Sequence, residues 1–239
     1  MRRCEREMMT GIVFTGGEGP PPEIIRALLD EVPGTYLIAA ADSGLETAEN
    51  AGLKPDWIIG DMDSIADTAR LDAYPEERVM RYPKDKDYTD TELAFSLLRE
   101  KGCDEIWIAG GGGGRVDHLF GIRSMLERDA FPARWILDSA DIYCVDAAGR
   151  ENGAALAVRL SANALVSVFP LGAGPWKASS AGLRWALDDL KWDRGFFGLS
   201  NMALGGEFTI TVQRGRFMVV VPRGDQGLGI GEQGSGIVV

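Results

Sequence analysis

"EIWIAGGGGGRVDH" (Glu105–His118) joins an apolar run to five consecutive glycines, then to an arginine, an aspartate and the only histidine of the chain. The continuous apolar stretch through Ile106, Trp107, Ile108 and Ala109 predicts a strand buried on both faces, as in a parallel sheet covered by helices. Glycines make poor helix or strand, so the strand ends at the run. Bare backbone there lets N–H groups approach phosphate oxygens with no Cβ in the way, which points to Gly111, Gly112, Gly113 and Gly114 as a nucleotide loop. Arg115 can clamp an anion through two parallel hydrogen bonds. Asp117 can orient Arg115 or meet a ribose. His118 reads as a structural or interface residue ahead of a catalytic base.

The same texture extends outward from this strand. "GIVFT" (Gly11–Thr15) ends in Gly16-Gly17, and "TYLIAA" (Thr35–Ala40) and "DWIIG" (Asp56–Gly60) are further strands. "RVMRY" (Arg78–Tyr82) and "RWILD" (Arg134–Asp138) are weaker ones. "PPPEIIRALLDEVPG" predicts a helix with Pro22 in its first turn and a stop at Pro33-Gly34. "TDTE" (Thr89–Glu92) predicts a capping box, followed by an apolar face of Leu93, Ala94, Leu97 and Leu98. The expected fold is therefore α/β: an N-terminal doubly wound, mostly parallel sheet domain over 10–150. Past residue 150 the pattern changes. "VSVFPLG" (Val166–Gly172) is strand-like, and "GEFTITVQRGRFMVVVP" (Gly206–Pro222) predicts a hairpin turning at Gly215, with Phe208, Ile210 and Val212 on one face. A smaller all-β, sandwich-like domain over 151–222 follows, and the glycine-rich 223–239 reads as a flexible tail.

Composition limits the function. The chain has 239 residues, 45% apolar and 26% charged, as in ordinary soluble domains. A formal net charge of −11 argues against nucleic acid as the partner, although metal ions can bridge an acidic protein to one polyphosphate. No apolar run is long enough to span a membrane, and "MRRCEREMMT" lacks the apolar stretch of a secretory signal. Cys4, Cys103 and Cys144 are widely spaced and make no zinc pattern, so a reduced, cytoplasmic compartment is expected. "GIGEQG" (Gly229–Gly234) fits G-x-G-x-x-G only formally, since no helix follows it.

Four strand ends carry aspartate or glycine, where doubly wound sheets bind ligands. "ADSG" (Ala41–Gly44) offers Asp42 and Ser43 to a nucleotide. "GDMDS" (Gly60–Ser64) offers Asp61 and Asp63, two hard oxygen ligands at a spacing that suits Mg²⁺. In "KDKDYTD" (Lys84–Asp90), Asp90 falls in the first turn of the predicted helix, where a carboxylate is stabilised in any case. Asp87 or Asp90 stands as a further metal ligand or base, and Lys86 as a polar group near substrate.

"GDMDS", "KDKDYTD" and "GGGGGRVDH", in that order, resemble the motifs of thiamine pyrophosphokinases, and "PDWIIGDMDSI" and "DKDYTDTELA" are similar to that family's signature. The resemblance continues through "GLRWAL" (Gly182–Leu187) and "GLSN" (Gly198–Asn201), covering Gly11 to Pro222. It implies an ATP-dependent diphosphotransferase that gives thiamine diphosphate and AMP, using Mg²⁺, in a homodimer with thiamine held between subunits. Asp61, Asp63 and Asp90 would hold the metal, and together with Asp87 form the catalytic acidic set. Lys86, Trp185, Ser200 and Asn201 would meet thiamine. Met62 departs from the aromatic common between the paired aspartates, and Lys86 stands where some members carry glutamine. Two alternatives stay open: a diphosphokinase acting on a pterin alcohol, and a nucleotide-binding module without turnover.

Overall fold

A computed structural model describes residues 7–63, 65 and 68–223, in two compact units. The 223–239 tail read from the sequence, past Arg223, and the "GIGEQG" motif lie outside the described residues.

The first unit runs to Ile122 and takes in Arg134–Asp138. Its strands are β1 (Met9–Thr15), β2 (Thr35–Ala41), β3 (Trp57–Gly60), β4 (Val79–Arg81), β5 (Glu105–Gly110) and β6 (Arg134–Ile136), and its helices α1 (Pro22–Asp30), α2 (Gly44–Asn50), α3 (Asp90–Glu100) and the start of α4 (Val116–Met125). The strands pair in parallel in the order β6-β5-β1-β2-β3-β4. The chain steps from β1 outward to β4, then returns to the far side of β1, so the strand order reverses between β1 and β5.

Alternation along β1 sends residues to both faces. Ile12 and Phe14 pack with Ile25 of α1 and Ala48 of α2. Gly11, on the opposite face, lies against Leu98 of α3. Thr15, of the same parity as Gly11, shares a 2.6 Å hydrogen bond with Thr91 of α3. Helices therefore cover both faces, and the sheet is doubly wound as expected. α3 begins as the sequence predicts: Thr89 Oγ1 accepts from Glu92 N–H (3.3 Å), and Glu92 Oε2 accepts from Thr89 N–H (2.8 Å). α2 and α4 carried no clear sequence signal. α2 is seven residues long and buries only Gly44, Leu45 and Ala48, too few to make a stripe.

The second unit comprises Arg123–Ala133 and the chain from Ser139 onward. It therefore includes β7 (Ala140–Asp146), which lies before the residue-150 boundary drawn from the sequence. β7, β9 (Leu165–Leu171), β11 (Gly198–Met202) and β13 (Arg216–Pro222) form one antiparallel sheet, in the order β11-β9-β13-β7. β8 (Ala154–Leu160), β10 (Lys177–Ala181) and β12 (Gly206–Arg214) form another, in the order β10-β12-β8. Phe208, Ile210 and Val212 of one sheet share a core with Val166, Val168, Phe217 and Val219 of the other. That is a sandwich.

The hairpin expected over Gly206–Pro222 is not formed. β12 and β13 flank Gly215 but pair in different sheets, β12 with β8 and β10, and β13 with β7 and β9. The chain arches from one sheet to the other. Alternation reports which face is buried, not which strand is the neighbour, so the two cases look alike in sequence. After the arch, Arg216 donates to Asp146 (2.6 and 2.9 Å) and to the carbonyls of Leu126 (2.9 Å) and Arg128 (2.7 Å). Its guanidinium also lies 3.7 Å from the Phe131 ring centre.

Phe208 is fully buried between the two sheets. Phe208→Ala should lower unfolding free energy by about 3–5 kcal/mol, as removal of a buried ring does, measured by urea denaturation. A loss under about 1 kcal/mol would mean that the two sheets do not share this core.

Candidate active site at the carboxyl ends of the strands

The loops after β1 and β5 meet where the strand order reverses, the position at which such sheets bind ligands. Gly111 N–H donates to Gly16 O (3.0 Å), Gly112 N–H donates to Glu18 O (2.9 Å), and Glu18 N–H donates to Gly112 O (2.7 Å). Two of the glycine N–H groups are thus occupied in tying the loops together. Among the described residues, those of Gly113 and Gly114 donate to no backbone carbonyl. Arg115 forms a two-pronged ion pair with Asp117, Nε to Oδ1 at 3.1 Å and Nη2 to Oδ2. The guanidinium holds the Asp117 carboxyl below the usual carboxylate range. Ser43, ahead of α2, places its hydroxyl beside Gly16, in the space a Cβ there would take.

The sequence reading missed Glu18. Its side chain lies over Gly113, where a Cβ would come 2.7 Å from Glu18 Oε1, and Gly113 also has a φ of +64°. Glycine there both makes the turn and leaves room for the carboxylate. The signal was the lone charge in "GGEGPPP".

Asp42 follows β2 in a left-handed conformation, φ +48°, its N–H bonded to Ile59 O (2.9 Å). The carboxyl rests on Gly60, in space any side chain would fill. Burial pushes its pKa up to about 7, helped by the hydrogen-bonded contact and charge of Asp90 and by the charge of Asp61, while the Met62 N–H acts in the other direction. Asp42 and Asp90 each bury one Oδ1 that receives no hydrogen bond. Lys86 Nζ stands 3.2 Å from Asp90 Oδ1, an ion-pair distance without hydrogen-bond alignment, and donates to Pro83 O at 3.1 Å. Two carboxyl groups facing each other, with one ammonium beside one of them, keep an excess of negative charge that a shared proton or a further cation relieves.

Asp61 and Asp63 share one loop: Asp63 N–H donates to Asp61 Oδ1 at 3.1 Å. Met62 between them is buried with Leu45, Ile58 and Leu71, at a φ of +65°. Lys84 Nζ contacts Asp63 Oδ2 at 2.5 Å and, as the first cause, holds that carboxyl below the usual range. Asp87 is exposed. Among the described residues no three acidic or metal-ligating side chains make a complete metal cage. Magnesium does not require one, since it keeps waters and adds substrate phosphates to one or two carboxylates. The orphaned Oδ1 atoms of Asp42 and Asp90 fit such an ion.

In the second unit Asn201 is buried. Its Oδ1 accepts from Trp185 N–H (3.1 Å) and Met202 N–H (2.8 Å), and its Nδ2 donates to Trp185 O (2.7 Å). Asn201 therefore pins the backbone of Trp185, whose ring is 53% exposed with Arg184 stacked over it. Ser200 is exposed at a φ of +59°, and its N–H is held by Ser167 Oγ at 3.1 Å.

In the metal-free protein Asp42 keeps its proton up to about pH 7, whereas an unfolded aspartate loses it near pH 3.9. The folded state holds the extra proton between those values, so the stability contributed at Asp42 falls as pH rises through that window. Asp42→Asn removes the ionisation. Its Tm should match wild type near pH 4 and exceed it increasingly towards pH 8, by scanning calorimetry in chelator. A Tm difference that stays constant or shrinks with pH would remove the Asp42–Asp90 contact from the account.

With this geometry in place, comparison with known proteins is informative. Residues 30–133 match the family model for the thiamin pyrophosphokinase catalytic domain. The thiamine pyrophosphokinase of Bacillus subtilis (strain 168) is 37% identical over 106 residues, a stretch that is 43% of this chain and about half (49%) of that protein's length. Among solved structures, thiamine pyrophosphokinase from B. subtilis superposes with a TM-score of 0.71 at 22% identity, over 90% of this chain and 99% of that one. The Geobacillus thermodenitrificans protein gives 0.68 at 22% identity, over 92% and 100%. The Candida albicans thiamin pyrophosphokinase gives 0.65 at 14% identity, over 91% and 90%. At these identities the structures establish the shared α/β-plus-sandwich fold. Residues 30–133, which hold the strand-end aspartates and the glycine loop, are similar to the thiamin pyrophosphokinase catalytic domain.

Proposed function

We propose that this protein transfers the diphosphate of ATP to the hydroxyl of thiamine, releasing AMP, and that it works with magnesium. The observation that carries this reading is the cluster of Asp42, Asp90 and Asp61, in which the buried Oδ1 atoms of Asp42 and Asp90 accept no hydrogen bond and Lys86 is at ion-pair distance from one of them, inside the region matching the catalytic domain. Of Asp42, Asp61, Asp63 and Asp90, one or two would ligate the ion directly and the others would meet it through its waters. When bound there, magnesium neutralises the charge of the moving diphosphate. The thiamine oxygen bonds to the β-phosphorus, the bond from that phosphorus to the bridging oxygen breaks, and AMP leaves with the electron pair. The hydroxyl proton passes to Asp87, the member of the acidic set not assigned to the ion. Lys84 and Lys86, already beside Asp63 and Asp90, supply positive charge to phosphate oxygens. The free N–H groups of Gly113 and Gly114, with Arg115 and Asp117, meet the nucleotide. Positioning and charge neutralisation do most of the work in such transfers.

Thiamine binding belongs to the second unit in this reading. Asn201 holds Trp185 in place, and the Trp185 ring and Ser200 face the acceptor. A homodimer with thiamine between subunits is part of the proposal. It is supported by Phe197, Leu199 and Leu204, which are 51–62% exposed in and around the edge strand β11, a concentration of apolar surface typical of interfaces. A cytoplasmic setting is proposed from the cysteines. Cys103 and Cys144 are free thiols, and no described helix is long and apolar enough to cross a membrane.

The direct experiment is AMP formation from ATP, thiamine and Mg²⁺; no AMP with thiamine but turnover with a pterin alcohol would reassign the acceptor. Asp61→Asn and Asp63→Asn should each lower kcat by at least about a hundredfold, the scale of one lost electrostatic contributor, and activity within threefold of wild type would remove them from the metal site. Ser200→Ala and Asn201→Ala should raise the KM for thiamine and leave that for ATP unchanged. An unchanged thiamine KM would detach the sandwich from acceptor binding.

A further inference from the structure

The Glu18 carboxylate sits at the reversal of strand order with no described cation paired to it. Its backbone is fixed in both directions by Gly112, at 2.7 and 2.9 Å, and its exposed side chain lies over Gly113. A carboxylate held over the glycine loop repels phosphate oxygens at short range. It accepts readily from hydroxyl groups, and charged acceptors make the stronger hydrogen bonds. The positively charged Lys84 and Lys86 and the aspartates stand instead at the ends of β2, β3 and β4. At about 5 Å per strand, Asp42 lies one spacing from β1 and Asp61 two.

Resting on the nucleotide-transfer reading, we infer that Glu18 accepts hydrogen bonds from the ribose hydroxyls of the nucleotide. The sugar then sits over the β1 and β5 loops, and the phosphate chain runs across the sheet end towards Asp42 and Asp61. The loop tie that occupies the Gly111 and Gly112 N–H groups fits this orientation, because it removes donors a phosphate would need and leaves an acceptor a ribose can use. Glu18 is thus a specificity-determining residue for the sugar.

The test compares ATP with 2′-deoxy-, 3′-deoxy- and 2′,3′-dideoxy-ATP in AMP formation, for wild type, Glu18→Gln and Glu18→Ala. Wild type should favour ATP over the dideoxy nucleotide by about tenfold or more in kcat/KM, the scale of a hydrogen bond to a charged acceptor. Glu18→Ala should lose about that factor for ATP, mainly in KM, and leave the dideoxy rate unchanged, with thiamine KM unaltered and Glu18→Gln in between. Equal losses on all four nucleotides, or improved use of ATP, would overturn the assignment. If wild type forms no AMP, the transfer reading fails separately, and calorimetric titration of the same nucleotides decides the Glu18 role. Equal affinities in wild type and Glu18→Ala, or no binding at all, would reject it.

Discussion

The contact on which the candidate site depends is the Asp42 carboxyl resting on Gly60. Asp42 leaves β2 in a left-handed turn and Gly60 ends β3 without a side chain, so a carboxyl from one strand can lie flat against the end of the next. That places it against Asp90, at the start of α3, and near Asp61. A side chain at residue 60 would have to displace it. The result is a cluster of like charges, part of it buried, in which the pKa of the Asp42 carboxyl is pushed up to about 7. α3 is held in place by two separate means: its capping box at Thr89 and the Thr15–Thr91 hydrogen bond to the end of β1. An electrostatically unfavourable group is thus supported by favourable ones around it, as functional sites often are.

The two halves of the strand-end surface differ in chemistry. At β2, β3 and β4 the groups are aspartates countered by lysines, Lys84 with Asp63 and Lys86 with Asp90. At β1 and β5 the loops are tied backbone to backbone, and what projects is Glu18 and the Arg115–Asp117 pair. A triphosphate needs the first kind of surface and a nucleoside suits the second. The division follows from the reversal of strand order, which sets apart the two loops meeting at the centre of the sheet from those stepping outward.

In the second unit the polar residues are chiefly devoted to shape. Asn201 uses its amide to hold the Trp185 backbone, and Arg216 ties the segment around Leu126 and Arg128 to β7. The Trp185 ring is left presented to solvent by a buried neighbour that need not touch a ligand itself.

Local patterns in the chain were sufficient for the parallel strands β1 to β6, for α3 and its cap, and for the motifs at the strand ends. Continuous apolar runs, capping residues and glycine stops act through near neighbours, so their meaning is present in a single sequence. The same holds for the alternation in β12 and β13, which correctly marks buried faces. What only the tertiary structure decided is who meets whom: that β12 and β13 part into different sheets, that Asp42 pairs with Asp90 and rests on Gly60, that two of the glycine N–H groups are occupied by the β1 loop, and that Glu18 covers Gly113. Each of these joins residues distant in the chain, or distinguishes partners of identical local pattern. Such contacts follow from strand order and loop closure, which no short window of residues encodes.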